Sequence, residues 1–281
     1  MIATAFAVSL ALAAAQPDQP AVVWAVGDGA DGSAIARRLA RRIERDRPDA
    51  FLYLGDVYPS GTAEDYARNY EPVYGRLAPI TWPTPGNHEW WAREEGYYPY
   101  WRPHGRAKPW YRFRLGGWEL LSLNSETSHG PGSRQLRWLE RAVGSAPGTC
   151  RLAFWHRPRF SADSVHGDAT DVAPFWRALR GHARLVLNGH GHLMMRYRRR
   201  AGLTEYVAGS GGQVLYSLRQ DSRLAFARSH QTGALRLKLS PGRATLEFRD
   251  ADGALLDRSR ATCRATVPGG AGSSGVRAAD S

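Results

Sequence analysis

The chain has 281 residues, of which 43% are hydrophobic and 23% are charged, and its formal net charge is +12. This is ample material for one sizeable core, and one larger domain is favoured over two. The basic charge is explained equally well by attraction to anionic partners and by a coding bias towards arginine. The absence of a basic run interleaved with aromatic residues excludes an obvious nucleic-acid groove, so we expect no nucleic-acid partner.

The first apolar segment, Ile2–Ala15, is rich in alanine and ends in three small residues. It is too short to span a bilayer with ease, and its end is typical of a secretory cleavage site. We therefore predict a signal peptide over residues 1–15, with a membrane anchor as the alternative. No other segment has the pattern of a membrane span, so we expect a secreted or extracytoplasmic protein without stable membrane insertion. The sequence does not indicate the oligomeric state.

The chain contains two cysteines, Cys150 and Cys263. Export to an oxidising compartment predicts a disulfide between them, which would tie the C-terminal strand to the sheet; two unpaired thiols are the alternative. Residues 268–281 are rich in Gly, Ser and Ala, which predicts a disordered tail after a folded domain over residues 21–264.

Apolar strand-like runs, glycine turns and helical patterns follow one another along the chain. Ala21–Val26 stops at Gly27-Asp28-Gly29, and Ser33–Arg45 then has apolar residues at helical spacing. Further predicted elements are a strand over 51–54, a helix over 63–77, a strand over 80–84, a hairpin of 111–114 and 118–123, a helix over 131–143, a strand over 151–155, a helix over 172–180, a strand over 183–187 and short strands within 196–260. This order predicts an α/β fold of two packed sheets with helices outside.

The aromatic-rich segment Trp90–Trp110 has no clear period. It predicts a long irregular loop over the site rather than a helix. A packed aromatic cover without a substrate role is slightly favoured over a loop that contacts substrate.

Acidic, amide and imidazole side chains recur directly after the apolar runs. They are Asp28, Asp56, Asn87, His88, His156, His190 and His192. Carboxylates and neutral imidazoles are the ligands expected for Zn²⁺, Mn²⁺ or iron, and an aspartate that bridges two ions is typical of a two-metal hydrolytic site. Because carboxyl ends of strands converge at one sheet edge, residues far apart in sequence can meet there.

The motifs Gly27-Asp28, Gly55-Asp56, Gly86-Asn87-His88-Glu89, His156 and Gly189-His190-Gly191-His192 resemble the five-motif signature of calcineurin-like metallophosphoesterases. The resemblance extends from about Val22 to His192. The flanks Leu123-Asn124-Ser125 and 155–161 are similar to the purple acid phosphatase branch, particularly its secreted bacterial relatives. This resemblance implies a four-layer αββα sandwich of two mixed β-sheets with flanking helices.

The family pattern also implies roles. Asp28 and His192 would hold the first metal, and Asp56 would bridge both metals. The second metal would be held by Asn87, His156 and His190. His88 would lie beside the phosphate as an acid or transition-state donor, and His166 resembles a second substrate-facing histidine. Glu89 is interpreted as structural rather than catalytic.

Three features depart from the family pattern. Tyr58 comes two residues after Asp56, whereas the branch places a metal-binding tyrosine three residues after it, so Tyr58 either still reaches the metal or is not a ligand. The first motif ends in Ala30, which leaves Asp28 without a nearby second ligand. Arg157 replaces a common histidine and either contacts a phosphate oxygen or points away into solvent.

The resemblance implies a secreted hydrolase of phosphoric esters, an acid phosphatase-like phosphomonoesterase with two divalent or trivalent metal ions (Fe, Zn or Mn). A metal-bound hydroxide would attack a small phosphorylated substrate directly, without a covalent phospho-enzyme. The alternatives are a phosphodiesterase or nucleotidase of the same fold, and a secreted binding protein on a degenerate phosphatase scaffold.

Overall fold

The computed structural model describes residues 19–263. The predicted signal peptide and the predicted C-terminal tail lie outside these residues. None of the helices within 19–263 combines the length and the apolar character needed to cross a bilayer.

The first sheet has six strands in the order β13-β12-β11-β1-β2-β3. The three strands from the start of the chain, β1–β3, are parallel, and the last three strands of the chain add an antiparallel meander beside β1. Their bounds are β1 Ala21–Val26, β2 Ala50–Tyr53, β3 Thr81–Pro83, β11 Gly233–Ser240, β12 Arg243–Asp250 and β13 Leu255–Thr262.

The second sheet has seven strands in the order β10-β8-β9-β7-β6-β5-β4. Its four central strands, β5, β6, β7 and β9, are parallel to one another. Antiparallel strands lie at both edges, with β4 beside β5 on one side and β8 and β10 beside β9 on the other. The bounds are β4 Tyr111–Leu115, β5 Trp118–Ser122, β6 Arg151–Phe154, β7 Leu185–Asn188, β8 Met194–Tyr197, β9 Thr204–Ala208 and β10 Leu224–Arg228. Both sheets are therefore mixed.

Helices flank the two sheets. They are α1 Ala34–Arg45, α2 Ala63–Asp65, α3 Glu71–Tyr74, α4 Asn87–Trp91, α5 Tyr97–Trp101, α6 Arg134–Gly144 and α7 Ala173–Leu179. A π-helical turn, Tyr66–Tyr70, joins α2 to α3, and a 3₁₀ helix, Gly75–Ile80, leads into β3. Helix α1 begins where the Ser33 hydroxyl accepts the Ala36 N–H, as an N-cap serine does.

The parallel strands carry apolar side chains on both faces because the centre of each sheet is covered on both sides. In β1, Val23 and Ala25 face the core between the sheets, whereas Trp24 and Val26 pack under α1 and the 63–80 helical segment. A third cluster packs the second sheet against α6 and α7. This alternation explains the continuous apolar runs of the sequence and confirms the predicted four-layer αββα sandwich.

The prediction of an irregular segment over Trp90–Trp110 was wrong for two of its parts. The end of α4 includes Trp90 and Trp91, and α5 includes Tyr97 and Trp101. Tyr97 and Trp101 are buried in an aromatic cluster with Tyr70, and this burial stabilises a helix that periodicity alone does not indicate. Tyr97 and Trp101 therefore form a packed aromatic cover over this cluster.

A disulfide joins Cys150 to Cys263, across 113 positions of the sequence. Cys150 directly precedes β6 of the second sheet, and Cys263 directly follows β13 of the first. The predicted disulfide is therefore present, and it links the C-terminal strand of the first sheet to the second sheet.

Candidate metal centre

The polar turn residues lie at the carboxyl ends of the parallel strands of both sheets. Three of them, Asp28, Asp56 and His190, have positive φ values of 58°, 70° and 64°. A non-glycine residue rarely adopts this left-handed conformation, and residues that do so cluster at functional sites. The backbone is thus bent at three separate strand ends to direct these residues to one place.

Two glycines make the close approach possible. A Cβ at Gly55, whose φ is +96°, would lie 2.6 Å from Nδ1 of His156. A Cβ at Gly86 would lie 2.7 Å from the backbone nitrogen of Asp56 and would collide with its carboxylate. The glycines before the acidic and amide residues are therefore required by the density of side chains behind them.

In both Asp28 and Asp56, one carboxylate oxygen accepts a backbone N–H and the other faces the cluster. Oδ2 of Asp28 accepts the backbone N–H of His190 at 2.8 Å, and Oδ1 of Asp56 accepts the backbone N–H of His88 at 3.0 Å. The free oxygens point to a common centre: Oδ1 of Asp28 lies 3.4 Å from Nε2 of His192, and Oδ2 of Asp56 lies 3.3 Å from Nε2 of His156.

Two histidines are oriented by backbone carbonyls. Nδ1 of His156 donates to the carbonyl of Leu54 at 2.8 Å, and Nδ1 of His192 donates to the carbonyl of Val214 at 2.7 Å. A carbonyl only accepts, so Nδ1 carries the proton and Nε2 faces the carboxylates. This is the arrangement by which proteins fix the tautomer of metal-binding histidines.

Tyr58 reaches the cluster despite its short spacing from Asp56. Its hydroxyl lies 3.1 Å from Oδ1 of Asp28, 3.3 Å from Oδ2 of Asp56 and 3.0 Å from Nε2 of His192. The side chain is therefore directed into the centre.

The second group of side chains lies on the other side of Asp56. Nε2 of His156 lies 3.1 Å from Oδ1 of Asn87 and 3.1 Å from Nδ1 of His190. One donor atom from each of Asp56, His156 and His190 lies within 4.8 Å of the other two. The sequence-predicted ligands therefore form two groups that meet at Asp56.

The protonation equilibria reflect this crowding. Burial opposes ionisation of Asp56, but the charge of His156 outweighs it and holds the pKa of Asp56 below its usual value. Burial alone would lower the pKa of His156, yet Asp56 raises it to about 10. Burial, followed by the neighbouring His156 and His166, lowers the pKa of His190, which is therefore neutral and able to donate a lone pair.

The chemistry of these groups fits a pair of cations. The hydroxyl proton of Tyr58 can serve only one of its three acceptors, and burial with the charge of Asp28 raises the pKa of this phenol. The centre thus holds more lone pairs than protons. Cations would satisfy the surplus, and a mixed set of oxygen and imidazole nitrogen atoms suits Zn²⁺, Mn²⁺ or iron.

Glu89 is buried against the turn that carries Asp56. Its carboxyl accepts the backbone N–H of Asp56 at 3.0 Å and that of Val57 at 3.2 Å. Burial, followed by the charge of Asp56, raises the pKa of Glu89 to about 8. The carboxyl therefore shapes the turn that presents Asp56, which fits the structural role expected of it.

The two predicted catalytic histidines border a cleft of about 270 Å³ above the cluster. Nδ1 of His88 donates to the carbonyl of Pro59, which leaves Nε2 facing the cleft, 3.8 Å from Oδ2 of Asp56. The ring of His166 lies 3.9 Å from that of His190 between centroids. Burial, the largest influence, lowers the pKa of His166.

Arg157 does not line this cleft. Its Nε donates to both carboxylate oxygens of Glu126 at 3.0 Å, and its side chain is 35% exposed. The guanidinium of Arg157 is therefore paired with Glu126, and its role in substrate binding stays a prediction.

Sequence reasoning missed the loop after β9. In this loop Gln213, Val214 and Tyr216 line the cleft, and the ring of Tyr216 stacks on that of His192 at 4.1 Å. The loop lies against the first strand end because the N–H of Gln213 donates to the carbonyl of Asp28. The sequence did contain one signal for this loop, the glycine-rich run 209–212. This run follows an apolar strand-like segment, as the predicted ligand motifs also do.

A family model for calcineurin-like phosphoesterases matches residues 21–194. No curated protein matches the sequence. Among solved structures, the chain is similar to the purple acid phosphatase PPD1 from seeds of yellow lupin (Lupinus luteus), with a TM-score of 0.72 and 17% identity over 88% of this chain and 55% of that one. The chain therefore spans little more than half the length of the lupin protein.

Two further structures are similar over nearly their whole length. One is GAP50, the anchor in the inner membrane complex of Plasmodium, with a TM-score of 0.71 and 15% identity over 88% of this chain and 90% of that one. The other is a dimetal phosphatase from Danio rerio, with a TM-score of 0.62 and 15% identity over 87% and 99%. At such low identity the likeness shows a common fold. The family match covers more than half of the sequence, and the chain belongs to the calcineurin-like phosphoesterase family.

Proposed function

We propose that the protein is a two-metal phosphoric-ester hydrolase that acts on small phosphomonoesters. The observation that carries the proposal is the position of Asp56. Its Oδ2 lies 3.3 Å from the Tyr58 hydroxyl on one side and 3.3 Å from Nε2 of His156 on the other. A carboxylate between two sets of ligands is the arrangement that a bridged metal pair requires.

The residues divide into two ligand sets that share Asp56. One set would be Asp28, Asp56, Tyr58 and His192, and the other Asp56, Asn87, His156 and His190. Fe, Zn or Mn ions bound there would supply positive charge to neutralise the phosphoryl oxygens and would activate a water molecule.

His88 and His166 act from the rim of the cleft. The bond from Nδ1 of His88 to the Pro59 carbonyl fixes the ring, so that a proton on Nε2 is directed into the cleft towards the leaving oxygen. His166 is placed over His190 and can bind a phosphoryl oxygen. Among the described residues that line the cleft, none is Ser, Thr or Cys, which supports direct attack by water rather than a covalent intermediate.

We further propose that the protein works outside the cytoplasm. The Cys150–Cys263 disulfide supports this location, because such bonds persist in oxidising compartments.

Two alternatives remain testable. A phosphodiesterase would use the same ligands, and a binding protein would use the same fold, as the similarity to GAP50, the anchor in the inner membrane complex of Plasmodium, illustrates. The complete set of ligand-type side chains favours an enzyme over a binding protein. We propose monoesters because two histidines, His88 and His166, line the cleft and can each direct a ring nitrogen at the unesterified oxygens of a terminal phosphate.

The experiment is to load the purified protein with Zn²⁺, Mn²⁺ or iron and to compare kcat/KM for p-nitrophenyl phosphate and bis(p-nitrophenyl) phosphate. We expect the monoester to be preferred. Preference for the diester would overturn the substrate class, and absence of turnover with either, at one bound ion or none, would favour the binding protein.

A further inference from the structure

A larger depression of about 710 Å³ opens next to the metal-site cleft. It is lined by Pro59, Ser60, Asn87, His88, Trp91, Ala92, Glu94 and Glu95. Asn87 and His88 line both spaces, so the depression, here called the α4 cleft, continues the site on the side of His88.

Trp91 is the most exposed large apolar side chain of the described residues, at 88% of its full accessibility. It ends α4, the helix that begins with Asn87 and His88. Its neighbour Trp90, in contrast, has packing partners. The Trp90 ring contacts the ring of Tyr98, and the guanidinium carbon of Arg93 lies 4.8 Å from the centroid of the Trp90 ring. Trp91 is thus an unoccupied aromatic surface within one helical turn of the proposed acid.

The α4 cleft is acidic although the chain as a whole carries a charge of +12. Glu94 and Glu95 line it, and no Lys or Arg does. Arg93 lies 3.5 Å from Glu94 and offsets part of its charge, whereas Glu95 has no ion pair within residues 19–263. An anionic group in this cleft would face repulsion, and a cationic group would be attracted.

The position of the proposed proton donor, His88, indicates which part of the substrate the α4 cleft binds. A group that protonates the leaving oxygen must lie beside it, so the leaving group lies on the side of His88. The α4 cleft is the space on that side. We propose that it binds the leaving group and selects phosphoesters whose leaving group is aromatic and neutral or cationic, against anionic ones such as polyphosphates. This inference rests on the proposed function.

The first test replaces the aromatic surface. Trp91→Ala is expected to raise KM for phenyl phosphate by about three- to tenfold, the range that aromatic contacts contribute. KM for methyl phosphate, which cannot reach Trp91, should stay unchanged. Leu255→Ala, at an exposed position on β13, is the matched control. Equal effects on both substrates, or none on either, would overturn the aromatic selection.

The second test removes the charge. The double variant Glu94→Gln/Glu95→Gln is compared with wild type on 4-(trimethylammonio)phenyl phosphate and on 4-carboxyphenyl phosphate. Taking each substrate as a ratio to wild type cancels its intrinsic reactivity. We expect kcat/KM to fall for the cationic ester and to rise for the anionic one, each by about two- to fivefold at low salt. Glu140→Gln, on the exposed side of α6, is the control and should change neither.

A binding measurement separates this inference from the proposed function. Phenylphosphonate cannot be hydrolysed as an ester, so its Kd for the metal-loaded protein reports binding without turnover. Weaker binding to Trp91→Ala, with methylphosphonate unaffected, supports the cleft even if no ester is turned over. Identical binding of both phosphonates by wild type and Trp91→Ala would contradict it.

Discussion

The buried carboxyl of Glu89 offers a sharp test of how the site is held. It is 1% exposed and accepts N–H groups from Asp56 and Val57 at the turn where Asp56 has a φ of 70°. Glu89→Ala leaves both N–H groups buried without an acceptor. Since each orphaned buried donor costs about 1–3 kcal/mol, and a cavity adds to this, we expect the free energy of unfolding to fall by about 3–5 kcal/mol.

Glu89→Gln is the milder variant. Burial and the charge of Asp56 raise the pKa of Glu89 to about 8, so a neutral side chain of the same shape is tolerated near neutral pH. One acceptor oxygen is kept, and we expect a stability loss of about 1–2 kcal/mol. Glu89 holds the backbone of the turn that carries the proposed ligand Asp56. The metal affinity of Glu89→Gln should therefore fall by about 10–100-fold relative to wild type, the range found for such supporting groups.

The assay combines urea unfolding of the metal-free protein with a competition titration against a chromogenic chelator. Glu140→Gln, on the surface of α6, serves as the control for both. If Glu89→Ala does not fold, Glu89→Gln decides the matter. Unchanged metal affinity in Glu89→Gln, together with unchanged stability, would refute the role of this carboxyl in shaping the Asp56 turn.

Three more predictions follow from other parts of the molecule. His88→Ala should lower kcat by about 10²–10⁴-fold while metal content per chain is retained, because the proposed role of His88 is to donate a proton and not to bind a metal. Burial raises the pKa of Glu205 to about 8 from 4.5, so its contribution to stability is present below pH 4.5 and is lost as the pH rises through 8. Thermal unfolding between pH 5 and 9 should show this loss in wild type and not in Glu205→Gln. Replacing Cys150 and Cys263 by serine should reduce the free energy of unfolding by about 2–5 kcal/mol, because the bond closes a loop of 113 positions.

Each of these predictions has an outcome that contradicts it. Loss of metal from His88→Ala would make it a ligand. A steep pH dependence that persists in Glu205→Gln would assign the effect to another group. Equal stability of the serine variant and the oxidised wild type would mean that the disulfide does not constrain the unfolded chain.

Much of the candidate site could be predicted from the sequence because its carboxylate, amide and imidazole side chains follow strand ends. A short apolar run followed by glycine and an acid is a local signal, and the parallel arrangement of strands converts local signals into one cluster. Asp28, Asp56 and His190 illustrate this: each follows a run that the sequence marks as a strand, and all three lie in one cluster formed by strand ends of both sheets.

Other features depend on three-dimensional packing and left no such signal. The hydroxyl of Tyr58 lies among Asp28, Asp56 and His192, and the spacing of Tyr58 from Asp56 did not predict this position. The ion pair between Arg157 and Glu126 joins residues 31 positions apart, and the stacking of Tyr216 on His192 joins the loop after β9 to the loop after β7. Helix α5 owes its stability to the buried aromatic contacts of Tyr97 and Trp101, so no helical period was visible in the sequence.

If Asp56 is shared between two cations, loss of its charge changes the number of metal ions that the protein binds. Metal content per chain is measured by mass spectrometry after loading and gel filtration of wild type and Asp56→Asn, which keeps an oxygen for the His88 N–H but loses the charge. We expect two ions in wild type, and one or none in Asp56→Asn together with loss of hydrolysis. Two ions and full activity in Asp56→Asn would contradict the account.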